Sequence, residues 1–336
     1  MRPKNKSKPT LEEIATLSGV SIATVSRVVN HSGPVSQELK IRVENAMKTL
    51  GKVKTRPTFI AFITSEVIDP AAASVITGAQ EEADKLGVCL VILNVSRTPG
   101  SLWQSLKLLK YFRFDGVILR HGDIEPEQIF ELCNRQDIPI VMLGKVIDSP
   151  QVYCINMDRE EGMYQAAKYL ISLNHRDIAY LSGPFEWEVS KIRLRGIQRA
   201  LAETGLTLAP EFHRWCFPSI EGGFQVTSSV LNLPSGKRPT AIMTFNDMIA
   251  IGALHAIRTF GLTVPDDISV IGFDNVYLTL HTNPPLTTIF YPSQQTGQLA
   301  IQKLYNSLNG YEDDQGGFTL LECPLVVRES TTLCKV

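Results

Sequence analysis

Residues Thr10–Asn30, TLEEIATLSGVSIATVSRVVN, read as two short helices joined by a tight turn. Thr10 caps the first helix, and Glu13, three residues on, completes a capping box. Leu11, Ile14, Ala15 and Leu17 form its apolar face. Gly19 ends it where the chain needs a residue tolerant of positive φ. Ser21 caps the second helix, whose Val25, Val28 and Val29 continue an apolar face at helical spacing. Ser21, Ile22, Ala23, Ser26, Arg27 and Asn30 are left for the outer face. They are short or hydrogen-bonding, apart from one Arg. That suits a helix whose N-terminal half presses on the floor of the DNA major groove. An ordinary helical hairpin with a solvated face shares the helix–Gly–helix pattern, so the pattern alone does not separate the two readings.

Working outward, Ser36 caps a third helix running to about Leu50. Leu39, Val43, Ala46, Met47 and Leu50 face inward, and Gly51 ends it. Arg2–Pro9 is a basic arm that touches phosphates or serves solubility. Lys52–Thr58 (KVKTRPT) is a basic linker in which Pro57 forbids helix and favours an extended approach. Residues 1–56 carry 11 Lys/Arg against 4 Asp/Glu, and the rest 22 against 30, although the net charge is only -1. A basic segment on an acidic body fits nucleic-acid binding confined to one end.

The chain of 336 residues, 44% of them hydrophobic, suffices for two or three domains with sizeable cores. No apolar run is long enough to span a membrane, and MRPKNKSKPT is charged with no hydrophobic stretch behind it, so a cytoplasmic protein is expected. Cys89, Cys133, Cys154, Cys216, Cys323 and Cys334 are scattered without a Cys-x-x-Cys pair. Reduced thiols are expected rather than a zinc or disulfide framework. There is no Gly-x-Gly-x-x-Gly after a strand, no P-loop and no Gly-x-Ser-x-Gly elbow. The His residues form no metal-like cluster, and His175 beside Arg176 reads as structural. No catalytic residue, metal or cofactor is expected, and the chain does not read as an enzyme.

Beyond the linker, strands and helices alternate. Phe59–Thr64 is a buried strand, followed by a helix Gly78–Leu86 and a strand Val88–Asn94. A helix Leu102–Tyr111, a strand Asp115–Leu119, a helix Glu127–Arg135 and a strand Pro139–Leu143 follow. After a crossing near Val152–Met157 the pattern restarts with a helix Gly162–Leu173, a strand Asp177–Ser182 and a helix Lys191–Thr204. Then come a strand near His213–Phe217, a helix Gly223–Leu231, a strand Ala241–Thr244, a helix Asp247–Phe260 and a strand Ser269–Phe273. Strict β-then-α order argues for parallel sheets wound with helices on both faces. Two rounds of it suggest two similar lobes, with ligands at the carboxyl ends of the strands.

VSIATVSRVVN, followed by Val35-Ser36 and a third helix, resembles the DNA-binding headpiece of the LacI/GalR family of bacterial transcription regulators. The resemblance implies that Ser21, Ile22, Ala23, Thr24, Arg27 and Asn30 lie on double-stranded operator DNA; Ser36 is a further expected contact, and the linker cations Lys52, Lys54 and Arg56 are able by their charge to follow phosphates. In this family the second and third recognition-helix residues set operator choice. Ile22 and Ala23 offer only apolar contact there, for instance to a thymine methyl, which leaves Arg27 for guanine or phosphate. Further on, DGVIL, MDREEG, LNHRDIAYLSGP, IRLRG, PTAIMTFNDMIAIGAL, VPDDISVIGFDN and PPLTTI resemble the same family's effector core, whose fold is that of periplasmic sugar-binding proteins.

That resemblance implies an α/β chain in three parts. These are a three-helix helix-turn-helix headpiece (1–51), a short basic linker (52–58) and a two-lobed core of doubly wound parallel sheets for effector binding and dimerisation (59–336). The effector would sit between the lobes. The clamp Arg falls at Arg193, three residues before Gly196; Asn246 and Asp274 follow strands, and Asp158 comes from the first lobe's side. A guanidinium, an amide and carboxylates suit vicinal hydroxyls. Asp274 also reads as a turn former ahead of Asn275. Trp187 and Phe217 are aromatic candidates for stacking on a sugar ring or a base, and Trp187 reads equally as lobe packing. Two departures stand out. Pro70 is followed by Ala71, Ala72 and Ala73, where the family often carries an aromatic pair. The linker is also too short for the family's hinge-helix elements. The expected function is a ligand-responsive repressor, a homodimer answering to a sugar, a sugar derivative or a purine. The alternative is a sugar-binding module with a degenerate headpiece.

Overall fold

The computed structural model describes residues 10–30, 32–50, 57–65, 67–95, 112, 114–120, 138–149, 152–234, 238–310 and 317–335. Three helices come first: α1 (Leu11–Ser18), α2 (Ile22–Asn30) and α3 (Gln37–Thr49). The capping box forms as the sequence requires. Thr10 Oγ1 accepts from the Glu13 N–H at 3.2 Å and Glu13 Oε2 accepts from the Thr10 N–H at 2.7 Å. Gly19 takes φ 65, which lets its N–H close onto Ala15 O. Ser21 Oγ and Ser36 Oγ accept from the N–H groups of Thr24 and Leu39 at 3.1 and 3.5 Å.

Ile14, Ala15, Val25, Val28, Val29, Val43 and Ala46 form the core of the three helices. Each large aliphatic among them contributes about 1.5–3 kcal/mol of burial. Leu17 corrects the sequence reading: it is 48% exposed, and Ser18 takes the inward position with its hydroxyl on Ile14 O at 2.6 Å. At 100° per residue the inward stripe from Leu11 runs through Ile14, Ala15 and Ser18, and Leu17 falls off it. Arg42 ties α3 to the end of α1, donating from Nε to Ser18 O at 3.1 Å and from Nη2 to Gly19 O at 3.4 Å.

The chain then alternates through β1 (Thr58–Thr64), α4 (Pro70–Leu86), β2 (Val88–Asn94), β3 (Gly116–Arg120), β4 (Ile140–Leu143) and β5 (Val152–Met157). It continues with α5 (Arg159–Ser172), β6 (Ile178–Ser182), α6 (Glu188–Ala202), β7 (His213–Trp215), α7 (Ile220–Leu231), β8 (Ala241–Thr244), α8 (Asp247–Thr259) and β9 (Ser269–Asp274). Last come β10 (Thr287–Phe290), α9 (Ser293–Asn309), β11 (Gly317–Leu321) and β12 (Leu325–Val326). One sheet runs β2-β1-β3-β4-β5-β11 and the other β7-β6-β8-β9-β10-β12. The first five strands of each follow the same winding, and their pairings are parallel. The winding direction reverses between β1 and β3 and between β6 and β8. Open α/β sheets bind ligands at the carboxyl ends of strands beside such a reversal.

Each sheet organises a compact unit. The first takes the chain through Val67 with Val75–Ile155 and Gln294–Phe318, and the second takes Ile68–Ser74, Asn156–Ser293 and Thr319–Val336. The two rounds of β and α are therefore not simply consecutive, because the C-terminal elements return to each unit in turn. Val152–Met157 is not a mere crossing but a full strand, β5, paired with β4. The helix expected from Gly78 begins instead at Pro70, because Asp69 Oδ1 caps the Ala72 N–H at 2.8 Å and Pro suits a first helical position. The helices expected at Leu102–Tyr111 and Glu127–Arg135 lie outside the described residues, as do Arg2–Pro9, Gly51 and Lys52–Arg56.

Ala179, Leu181, Ile242, Ile249, Ala253, Ile257 and Val270 centre the core of the second unit, and Ile63, Val117, Leu119, Ile140 and Met142 that of the first. In the second unit α7 and α8 approach backbone to backbone. A Cβ added at Gly252 would stand 2.1 Å from Ile220 O, and one at Gly223 would stand 2.3 Å from Ile249 O. No described helix is long and apolar enough to cross a membrane. Cys89, Cys154, Cys216, Cys323 and Cys334 are free thiols, and Cys133 lies outside the described residues.

Candidate functional site

Two sites emerge, one on α2 and one in the second unit. On α2, Ser21, Ile22, Ala23, Arg27 and Asn30 are exposed and Thr24 is half-buried. The buried Val25, Val28 and Val29 fix the opposite face, so the outward set is a consequence of the core. Ile22 keeps 47% of its surface free, a large apolar side chain on the outer face. Ser21 Oγ and Thr24 Oγ1 share a hydrogen bond of 2.9 Å, and Asn30 Nδ2 donates to Ser26 Oγ at 3.2 Å. Among the described residues nothing pairs with the Arg27 guanidinium, and the Cδ of its aliphatic stem stands 3.8 Å from the position of a Cβ at Gly33. Ser36 is exposed at the start of α3. Lys52, Lys54 and Arg56, the other expected contacts, lie outside the described residues.

In the second unit the carboxyl ends of β6, β8 and β9 converge on Arg193. This residue sits on α6 and is only 4% exposed. Its guanidinium carbon lies 3.8 Å from the centre of the Phe273 ring and 4.2 Å from that of Phe245, between the two aromatic faces. Nη1 donates to Phe245 O, and Nη2 stands 3.7 Å from Asp274 Oδ1. Burial pulls the Arg193 pKa down, and the neighbouring Asp274 carboxylate works against that. Asp274 itself takes φ 117 and Asn275 φ 56, so the chain turns at Asp274, as its reading as a turn former expects.

The other expected contacts gather here with additional duties. Asn246 is buried and caps α8, its Oδ1 accepting from the Ile249 N–H at 3.0 Å. Asp158, expected from the first lobe's side, falls instead in the second unit, because it caps α5, its Oδ1 accepting from the Glu161 N–H at 3.0 Å. Trp187 is half-buried and meets Phe217 edge-on at 6.4 Å and Phe245 at 6.1 Å between centroids. Phe217 is 65% exposed, so the aromatic group opens outward.

Several residues of this site escaped the sequence reading. Phe245 and Phe273 sandwich the guanidinium, and each immediately precedes an expected ligand residue, which was the available signal. Arg159 is buried and donates to Asn156 Oδ1 at 2.6 Å and to Tyr291 Oη at 3.1 Å. The Cys323 thiol, pushed up to about 11 by burial, feels the charges of Arg159, Arg193, Asp158 and Asp274. Tyr180 Oη, Ser190 Oγ and Arg193 Nε are buried with no hydrogen-bond partner among the described residues. His175 is structural as read, with Nδ1 2.9 Å from Thr240 Oγ1 and Nε2 3.0 Å from Thr332 O.

Residues 10–51 match the model of bacterial regulatory proteins of the lacI family, and residues 167–331 match a periplasmic binding protein-like domain. An HTH-type transcriptional repressor PurR of Aliivibrio fischeri is 32% identical over 340 residues, covering 96% of this chain and 98% of the relative. A repressor of the same name from Vibrio campbellii is 33% identical over 344 residues, with the same shares covered. Among solved structures, the lac repressor dimer bound to operator and the anti-inducer ONPF superposes with a TM-score of 0.74 at 29% identity, covering 97% of this chain and all of that one. The complex of the transcriptional regulator CelR with cellobiose gives 0.72 at 28% identity, covering 96% of this chain and all of that one.

Proposed function

The chain belongs to the LacI family of DNA-binding transcriptional repressors, and from that premise we propose that its hold on DNA answers to a small polar effector bound around Arg193. The observation that carries this reading is the buried, aromatic-sandwiched Arg193 beside Asp274, at the strand ends where the winding of the second sheet reverses. A guanidinium held flat offers directed donors, and the carboxylate offers acceptors, to a molecule with several hydroxyls. Trp187 and Phe217 provide faces for its C–H surface. A sugar or sugar derivative fits this chemistry best. One structural neighbour binds cellobiose and another was solved with the anti-inducer ONPF, which supports it.

On DNA, Ile22 and Ala23 supply apolar contact and Arg27 reads guanine or phosphate, with Ser21, Thr24, Asn30 and Ser36 beside them. Lys52, Lys54 and Arg56 follow the phosphates. A two-fold homodimer matches a palindromic operator.

Thermal-shift screening of the full chain against sugars, polyols, sugar acids and nucleobases tests the effector, because a specific binder raises the midpoint. Gel shifts on DNA upstream of its own operon, with and without each hit, test the coupling. A hit that leaves operator affinity unchanged would refute the regulatory reading.

A further inference from the structure

The turn after β9 runs through Asp274 at φ 117 and Asn275 at φ 56. Residues with a side chain adopt such angles only where their surroundings fix them. What fixes this turn is a carboxylate that does not itself belong to the Arg193 site. Asp247, in the first turn of α8, is fully buried. Its Oδ2 accepts from the Val276 N–H at 2.9 Å and its Oδ1 from the Thr288 hydroxyl at 2.6 Å. The Asn275 N–H also donates toward this carboxylate, and it lies 3.4 Å from Thr288 Oγ1. A Cβ at Gly272 in β9 would stand 2.1 Å from Asp247 Oδ1, so the carboxylate fills the space that a side chain there would take. Arg328 holds the same turn by a separate contact, donating from Nη2 to Asn275 Oδ1 at 2.6 Å and from Nη1 to Leu286 O at 2.6 Å.

We infer that Asp247 is a positioning residue of the proposed effector site: its ionised carboxylate holds the turn that presents Asp274 to Arg193. The inference rests on the effector reading above. Asp274 stands 3.7 Å from Arg193 Nη2, and the two residues that follow it are the ones whose amides Asp247 accepts. Hydrogen bonds from amides to a charged acceptor are stronger than those to a neutral one. Burial pushes the Asp247 carboxyl up to about 7, against the Thr288 hydroxyl, the Val276 and Asn275 amides and the Arg328 charge, which all favour the ionised form. Ionisation and the turn are therefore linked. As pH falls through that value the carboxyl takes up a proton, becomes a donor at one oxygen and withdraws an acceptor from the turn.

Amide hydrogen exchange of the full chain at pH 8, read at Asn275 and Val276, tests the hold, with Asp247→Asn imitating the protonated carboxyl. Protection of both amides should fall at least about tenfold in the variant, while Ala253–Ile257 in α8 stay within about twofold of the parent. Calorimetry with glucose, cellobiose, gluconate and adenine reads the site. The probe that the parent binds best should lose at least about fivefold in affinity between pH 8 and pH 6. Asp247→Asn should bind it weakly and equally at both. Thr288→Val removes a hydrogen bond that favours the ionised form, so it should move the midpoint of the pH dependence upward. That variant decides the question should Asp247→Asn fail to fold. Unchanged protection at Asn275 and Val276, or the parent's pH dependence persisting in Asp247→Asn, overturns the inference. A probe whose affinity survives Arg193→Ala, while Asp247→Asn still frees the two amides, would sink the effector reading and leave Asp247 as the holder of the turn.

Discussion

Arg193 Nη2 and Asp274 Oδ1 stand 3.7 Å apart with both side chains at least nine-tenths buried, so neither charge can be removed without exposing the other's dependence on it. Breaking one side of a buried pair costs about 3–5 kcal/mol, because the surviving charge stays desolvated. Arg193→Ala should therefore abolish effector binding and also lower stability by roughly that order. Adding Asp274→Asn to Arg193→Met should restore most of the stability without restoring binding. Urea unfolding of the parent, Arg193→Met, Asp274→Asn and the double variant, with calorimetry, measures both. Simple additivity of the two substitutions would show that the pair is not coupled.

Arg27 is exposed on the outer face of α2, one helical turn beyond the half-buried Thr24. Arg27→Ala should weaken operator binding far more than binding to random DNA. A bidentate arginine–guanine contact contributes about 1–3 kcal/mol of discrimination. Competition gel shifts at fixed salt decide it, and equal losses on both DNAs would reassign Arg27 to a phosphate.

The three N-terminal helices were legible because each boundary is written locally: Thr10 with Glu13, Gly19, Ser21 and Ser36. Leu17 was misread because an apolar residue next to the stripe looks like part of it until the 100° step is counted. Strand positions in the sheets were legible from apolar runs such as Ala241–Thr244. The return of α9 to the first unit was not, because the choice of sheet for a helix rests on contacts far apart in sequence. At the proposed effector site, the resemblance singled out Arg193 and Asp274, which the structure brings within 3.7 Å of each other. The aromatic sandwich of Phe245 and Phe273 was not legible, because strand periodicity shows which face a residue takes and not which charge it will cover.

The α7–α8 contact has no room for a methyl group. At Gly252 an added Cβ would meet Ile220 O at 2.1 Å and the Phe224 amide nitrogen at 2.6 Å, both backbone atoms that cannot rotate away. Gly252→Ala should raise intrinsic helix propensity by about 1 kcal/mol, yet destabilise overall by about 1–3 kcal/mol as the helices are forced apart. Urea unfolding checks the sign. A stabilised variant would mean that α7 and α8 separate without cost.

The last prediction concerns acid. His175 is buried, and desolvation lowers its pKa below the ordinary 6.5, against the smaller opposing effect of the Thr332 carbonyl. The contacts select the neutral tautomer in which Nε2–H donates to Thr332 O and Nδ1 accepts from the Thr240 hydroxyl. His213 is shifted the same way by burial, aided by the nearby Arg214 charge. For both, the unfolded chain takes up protons at a pH where the folded one does not. Their contribution is thus complete above 6.5 and is lost as pH falls from 6.5 toward the depressed folded value. Urea midpoints should fall between pH 7.5 and 5.5, and His175→Gln should flatten part of that slope, the remainder belonging to His213. An NMR titration of the His175 ring with a midpoint at or above 6.5 would contradict the neutral, desolvated assignment.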